Sequence, residues 1–188
     1  MSSTILKNIL IKVKIFLNKY KNIIILTSTL ILIDQISKLI TTYKLLNNDI
    51  YIPKYIGKIL SFCHINNKGF AFNILETFKY TKTLIFIIRI ILIYVLTVKI
   101  FKIKNYTLDK KISTAYSFIC AGGISNTTDF IFHKSAIDIF YFNIFNTINK
   151  TNNYFQNISF NLADIFILIG AIYFIFSIKT INKNSNNE

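Results

Sequence analysis

The sequence predicts an all-α integral membrane protein of four transmembrane helices, with a small β-structured element in the first outer loop. Three observations predict it. The 188 residues are 53% hydrophobic and only 16% charged, with a mean hydropathy of +0.48, whereas a soluble domain carries about 25% charged residues. Four apolar runs approach the ~20 residues that cross roughly 30 Å of hydrocarbon. The basic residues lie between those runs rather than along one continuous face. The same composition excludes a disordered chain. One Pro and five Gly exclude a collagen-like or linker-like one. The chain is read as a single membrane-embedded domain over 1–188.

The first span is read over 22–41. Lysines precede it, but no A-x-A-like site follows, so it is read as an uncleaved span rather than a signal peptide. The loop 42–82 follows. Within it, 58–66 (KILSFCHIN) has strand-like content, and Asn-Lys-Gly comes next as a turn signal. The second span, 83–101, is almost wholly apolar but carries Arg89 about two turns from its outer end. The third, 112–128, is less hydrophobic, and its Ser, Thr and Gly suit close helix–helix contact. The loop after it is aromatic at 137–145 and at Tyr154 and Phe155, which suits the headgroup interface. The fourth span is 160–178, leaving 179–188 as a tail.

Lysine and arginine density orients the bundle. Residues 1–21 hold five lysines, 99–111 another five and 179–188 two, giving twelve in 44 residues. The segments 42–82 and 129–159 hold eight in 72. Both termini are therefore expected in the cytoplasm. The net charge of +14 is read as this topology signal. No nucleic-acid partner is expected, because no binding motif and no basic face accompany the charge.

Only eight residues are acidic, yet Asp34 and Asp164 lie inside apolar runs and Asp129 closes another. A carboxylate at membrane depth is costly and marks function by default. On the predicted topology all three fall at the outer side. Asp34 and Lys38 are i,i+4 and share a helix face. Asn126 and Asp129 are i,i+3, as are Asn161 and Asp164, so each acid is expected to have an amide neighbour on its own helix. Two carboxylates in a low-dielectric site cannot both ionise freely, and they share a proton. Such a pair activates water with one member and protonates a leaving group with the other. That points to hydrolysis of an amide at the membrane surface, without metal or cofactor. The two cysteines, Cys63 and Cys120, and two histidines supply no metal-ligand spacing. The cysteines are read as packing residues. Adjacent Cys63 and His64 would face opposite ways in a strand, and His133 is read as a loop residue.

Four motifs then carry a resemblance. Asp34-Gln35-Ile36-Ser37-Lys38 resembles D-Q-x-[ST]-K, and Asn67-Lys68-Gly69-Phe70-Ala71-Phe72 resembles N-x-G-x-A-F. Gly122 to Asp129 (GGISNTTD) resembles G-G-x-G-N-x-x-D, and Phe160-Asn161-Leu162-Ala163-Asp164 resembles F-N-x-A-D. In this order the chain resembles the lipoprotein signal peptidases (signal peptidase II), aspartic peptidases of the bacterial inner membrane. The resemblance covers about residues 22–175. It implies a catalytic dyad of Asp129 and Asp164, with Asn67, Asn126 and Asn161 orienting substrate or dyad. It implies supporting roles for Asp34, Lys38, Gly69 and Ala163. Asp138, in Ile137-Asp138-Ile139-Phe140, resembles the family's V-D-F element. The implied partners are lipid-modified prolipoproteins, cut just before a diacylglyceryl-modified cysteine, and membrane lipids. The protein is expected to be a monomer, with its active site toward the periplasm.

Two positions depart from the family pattern. Ser125 stands where the family has glycine, and Phe130 where it has an arginine expected to hold an anionic lipid headgroup. Lys134 and Arg89 are the cations at hand to replace it. Two rival readings make different demands. A small ion- or proton-coupled transporter requires acids spread through the membrane and an inverted repeat. A non-catalytic scaffold requires that Asp129→Asn and Asp164→Asn be tolerated.

Overall fold

A computed structural model of the chain describes residues 2–45, 50–51, 60–67, 81–101, 110–142 and 159–185. Each of the four apolar runs is helical, the fourth from Leu162 onward. The helices are α1 (Ser2–Lys44), α2 (Thr81–Phe101), α3 (Lys110–His133) and α4 (Leu162–Ser185). A four-stranded antiparallel sheet joins them: β1 (Ile50–Tyr51), β2 (Leu60–Asn67), β3 (Ala136–Phe142) and β4 (Ser159–Phe160), in that spatial order.

The bundle is inside-out by the standards of a soluble protein. Leu32, Ile36 and Leu39 on α1, Leu84 and Leu92 on α2, and Leu168 and Phe176 on α4 are exposed, while Asp34, Lys38, Ser125 and Asn161 are buried. An apolar exterior of this extent belongs against another apolar phase. By length and composition, one described helix, Ile5–Lys44, is long and apolar enough to cross a membrane, and Leu162–Ile178 is a shorter apolar helix.

Small residues set the packing. Gly122 on α3 has no room for a side chain, because a Cβ there would collide with the Ala163 carbonyl and lie 2.7 Å from Ile167 Cγ1. Gly170 on α4 meets the Ala115 carbonyl of α3 in the same way, at 2.8 Å. Ala115, Ala121 and Ala163 are fully buried. Without large side chains between them the α3 and α4 backbones come close, as small residues permit in membranes. On α2, Phe86, Arg89, Ile93, Leu96 and Thr97 are half-buried at i,i+3/i+4 spacing, and the residues between them are mostly exposed.

The structure departs from the sequence expectations in four places. The first helix begins some twenty residues before the expected span, because the residues from Ser2 continue the helix of the apolar run without a break. The strand expected in the first loop is present as β2, but it pairs with β3 from the second loop, at 137–142, where an interfacial aromatic segment was expected. Phe160 lies in β4 rather than opening the fourth helix, and the rings of Phe62, Phe140 and Phe160 meet in tilted pairs across the three strands, with centroids 5.7 and 5.3 Å apart. Cys63 and His64 are both buried, because the β2–β3 register shifts between Phe62 and Ile65 and cancels the alternation there. Gly69 and the aromatic residues after it, and Tyr154 and Phe155, lie outside the described residues.

Candidate active site

The site is a buried polar cluster where the C-terminal ends of α1 and α3 meet the N-terminus of α4, under the sheet. Lys38 is its hub. Its ammonium has three protons and three acceptors: Asp34 Oδ2 at 2.6 Å, Asp129 Oδ2 at 2.6 Å and Asn126 Oδ1 at 3.2 Å. The i,i+4 spacing delivers the Asp34 contact, and the other two tie α1 to α3. Lys38 is 2% exposed and Asp34 fully buried, so each charge depends on the other for compensation.

Asp34 also organises α4. Its Oδ1 accepts the Ala163 N–H at 2.8 Å, and its Oδ2 accepts the Ser125 hydroxyl at 2.6 Å. Asn161 and Asp164 complete the helix start as a reciprocal capping box. The Asp164 N–H donates to Asn161 Oδ1 at 3.0 Å, and the Asn161 N–H donates to Asp164 Oδ2 at 3.2 Å. Ser125, the departure from glycine, is thus absorbed: it donates to Asp34 and accepts from Gln35 Nε2 at 2.9 Å. Gln35 was not singled out as a site residue, although a second polar residue beside Asp34 in an apolar run was the available signal.

The resemblance implied a pair of Asp129 and Asp164. In the structure Asp129 accepts from Gln35 Nε2 on Oδ1 at 2.8 Å, and from Lys38 Nζ at 2.6 Å and the Ile137 N–H at 3.3 Å on Oδ2. The acid linked most directly to Asp164 is Asp138 on β3. Asn161 bridges them, with its backbone on Asp164 and its Nδ2 donating to Asp138 Oδ1 at 3.2 Å. Asp138 Oδ2 accepts from Asn67 Nδ2 at 2.9 Å and Ser159 Oγ at 2.6 Å. Burial pushes the Asp138 carboxyl up to about 6, and the facing Asp164 charge pushes the same way, against Ser159, Asn67 and Lys38. Asp164 itself is exposed at the mouth of the cluster.

The amides also differ from expectation. Asn126 bonds Asp164 rather than Asp129, its i,i+3 neighbour. Its Nδ2 donates to Asp164 Oδ1 at 2.9 Å, and its Oδ1 accepts from Lys38 and from Asn161 Nδ2 at 3.1 Å. Asn67, implied by the resemblance to orient substrate or dyad, is placed on Asp138, and Ser159, which the sequence did not single out, joins it there. Phe130 points to α2, where it stacks on Phe86 at 5.2 Å. Lys134 ends α3 with φ 59° and is exposed. Both cysteines are free and buried, and burial pushes the Cys63 thiol up to about 12, with Asp138 adding to it.

The family model for signal peptidase (SPase) II matches residues 26–180. The chain belongs to the signal peptidase II family. It is therefore a peptidase, and the transporter and scaffold readings fall. Among similar curated proteins, the lipoprotein signal peptidase of Chlamydia pneumoniae is 26% identical over 90% of this chain and 98% of its own. That of Chlamydia abortus is 31% identical over 79% and 86%, and that of Buchnera aphidicola 36% identical over 65% and 71%. A solved bacterial membrane enzyme superposes with a TM-score of 0.69 at 26% identity, covering 89% of this chain and 92% of its own. The signal peptidase II match begins at residue 26, so most of the lysine-rich first half of α1 precedes it.

Proposed function

We propose that this chain removes the signal peptide from diacylglyceryl-modified prolipoproteins, cutting the peptide bond before the lipidated cysteine, with Asp138 and Asp164 as its acid pair. The family supports the substrate class. The observation that carries the pair is Asn161 holding Asp138 and Asp164 together, while Lys38 and Gln35 occupy Asp129. Asp129 is committed to Lys38 in an ion pair, whereas neither Asp138 nor Asp164 has a cation within 4 Å among the described residues. In the working state the two carboxyls share one proton. The ionised one takes a proton from water, and the hydroxide attacks the scissile carbonyl, which the neutral one protonates. Collapse of the tetrahedral intermediate breaks the C–N bond: the cysteine amine leaves with a proton from the pair, and a hydroxyl of the intermediate returns one to the pair as the new carboxyl forms. Asp129, Lys38 and Asp34 hold α1, α3 and α4 in register beneath this pair. The chain acts as one domain with four membrane crossings in the bacterial inner membrane, both termini cytoplasmic and the sheet on the periplasmic side.

The test is cleavage of a diacylglyceryl-modified prolipoprotein in liposomes, with thermal unfolding of every variant measured in parallel. Asp138→Asn and Asp164→Asn are expected to lose roughly 10²–10⁴-fold in rate without any fall in unfolding temperature. Asp129→Asn is expected to lower the unfolding temperature. Full cleavage by Asp138→Asn, with loss in a stable Asp129→Asn, would restore the Asp129–Asp164 pair. No cleavage by the unaltered chain would overturn the substrate assignment.

A further inference from the structure

Of the 22 basic residues, 21 are lysine and one is arginine. That single arginine is Arg89, half-buried in the middle of an apolar helix. Its place follows from how α2 lies on α3. Phe86 stacks on Phe130, and Ile93 Cγ1 lies 3.2 Å from the Cβ position of Gly123. These helices run antiparallel, so Arg89, between the two contacts, comes level with Asn126 and Thr127. Asn126 donates to Asp164. Arg89 interacts electrostatically with Asp164, Asp129 and Asp138, yet among the described residues it makes no ion pair within 4 Å. The guanidinium is near the acids without being tied to one of them.

We infer that Arg89, reaching the cluster from α2, is a positioning cation that sets the pH window in which Asp138 and Asp164 share one proton. This rests on the acid pair proposed above. The charge balance shows why a cation is needed. The groups around the pair are Asp34 and Lys38 from α1, Asp129 from α3, Asp138 from β3 and Asp164 from α4, with His64 of β2 turned to the Leu45 carbonyl at 3.2 Å. Lys38 is already shared between Asp34 and Asp129. Those two acids outweigh it by one negative charge, which disfavours ionisation of the pair. A cation at Arg89 offsets that excess. Arginine suits the place because its charge persists in an apolar span, where a lysine deprotonates. Phe130 removes any cation from the neighbouring position on α3, and Lys134 is turned to the outside.

The experiment compares Arg89→Gln, Arg89→Met and Arg89→Lys with the unaltered chain and with Lys134→Gln. It measures kcat and KM for prolipoprotein cleavage from pH 4 to 9, and thermal unfolding over the same range. Loss of the positive charge raises carboxyl pKa values. In Arg89→Gln and Arg89→Met the pH optimum is expected to move up by about one unit, so they lose activity at the acid end and keep it at the alkaline end. Arg89→Lys is expected to keep at least part of the original window, and Lys134→Gln all of it. A uniform fall in kcat with an unmoved optimum would make Arg89 a packing residue and overturn the inference, as would an unchanged enzyme. A shift in Lys134→Gln alone would move the role to Lys134 and equally overturn it. If the unaltered chain cleaves nothing, the substrate reading fails, and unfolding decides this one. The Asp138 titration is then expected higher in Arg89→Gln than in the unaltered chain, and coincident titrations would refute the inference.

Discussion

At the scale of single residues, Lys38 and Asp138 make opposite demands. Lys38 compensates two buried carboxylates at 2.6 Å each. Lys38→Met keeps the stem and removes the charge, leaving Asp34 and Asp129 buried without it. Removing one partner of such a pair costs about 3–5 kcal/mol, and a corresponding drop in unfolding temperature at pH 7 is expected. Asp138 carries a functional cost instead. Its carboxyl lies at about 6, against 3.8 for an ordinary aspartate. Between those pH values the native chain holds a proton that the unfolded chain has lost. Stability from this group is therefore highest below about pH 4 and falls as pH rises to 6, by on the order of 3 kcal/mol. Asp138→Asn is expected to flatten that slope and to raise the unfolding temperature at pH 7, measured by scanning calorimetry across pH 4–8. The Asp34–Lys38 contact was legible in the sequence, because i,i+4 spacing fixes it. The partners of Asp129 were not, because Gln35 and Lys38 come from more than 90 residues away.

At the scale of elements, the α3–α4 contact decides where Asp164 sits. Gly122 faces the Ala163 carbonyl with no room for a Cβ, and Ala163 is next to Asp164. Gly122→Val forces the two backbones apart, at about 1–3 kcal/mol for overpacking. It also shifts the capping box that aims the Asp164 carboxylate. A displacement near 1 Å costs about 10²-fold in rate, so cleavage is expected to fall far more than stability. Gly123→Ala is the control, because its Cβ meets only the Ile93 side-chain carbon at 3.2 Å. The helices were legible in the sequence as long apolar runs. β3 was not, since Ala136–Tyr141 is buried at nearly every position and shows no alternation. Nor was the pairing that makes Asp138 a neighbour of Asp164, because it depends on β3 lying between β2 and β4.

At the scale of the whole molecule, the acid cluster lies at one end of the bundle and the facing ends of α2 and α3 at the other. The α1 end near Lys38, the α3 end near Asp129 and the α4 start at Leu162 meet at the sheet. The end of α2 at Phe101 and the start of α3 at Lys110 lie at the opposite end, and the sequence 99–111 that spans them holds five lysines. If basic segments stay in the cytoplasm, the proposed topology has the cluster outside, where a translocated lipid-modified substrate would present its cleavage site. Two exposed lysines mark the two ends: Lys110 opens α3, and Lys134 follows its last turn. Each can be replaced by a reporter cysteine. Cys63 and Cys120 are buried, and burial holds the Cys63 thiol protonated at neutral pH, so the native background stays silent toward maleimides. In spheroplasts, a membrane-impermeant maleimide is expected to label Lys134→Cys at once and Lys110→Cys only after permeabilisation. The opposite pattern would turn the bundle over and place the cluster in the cytoplasm. It would also separate the acid pair from any substrate that has already crossed the membrane.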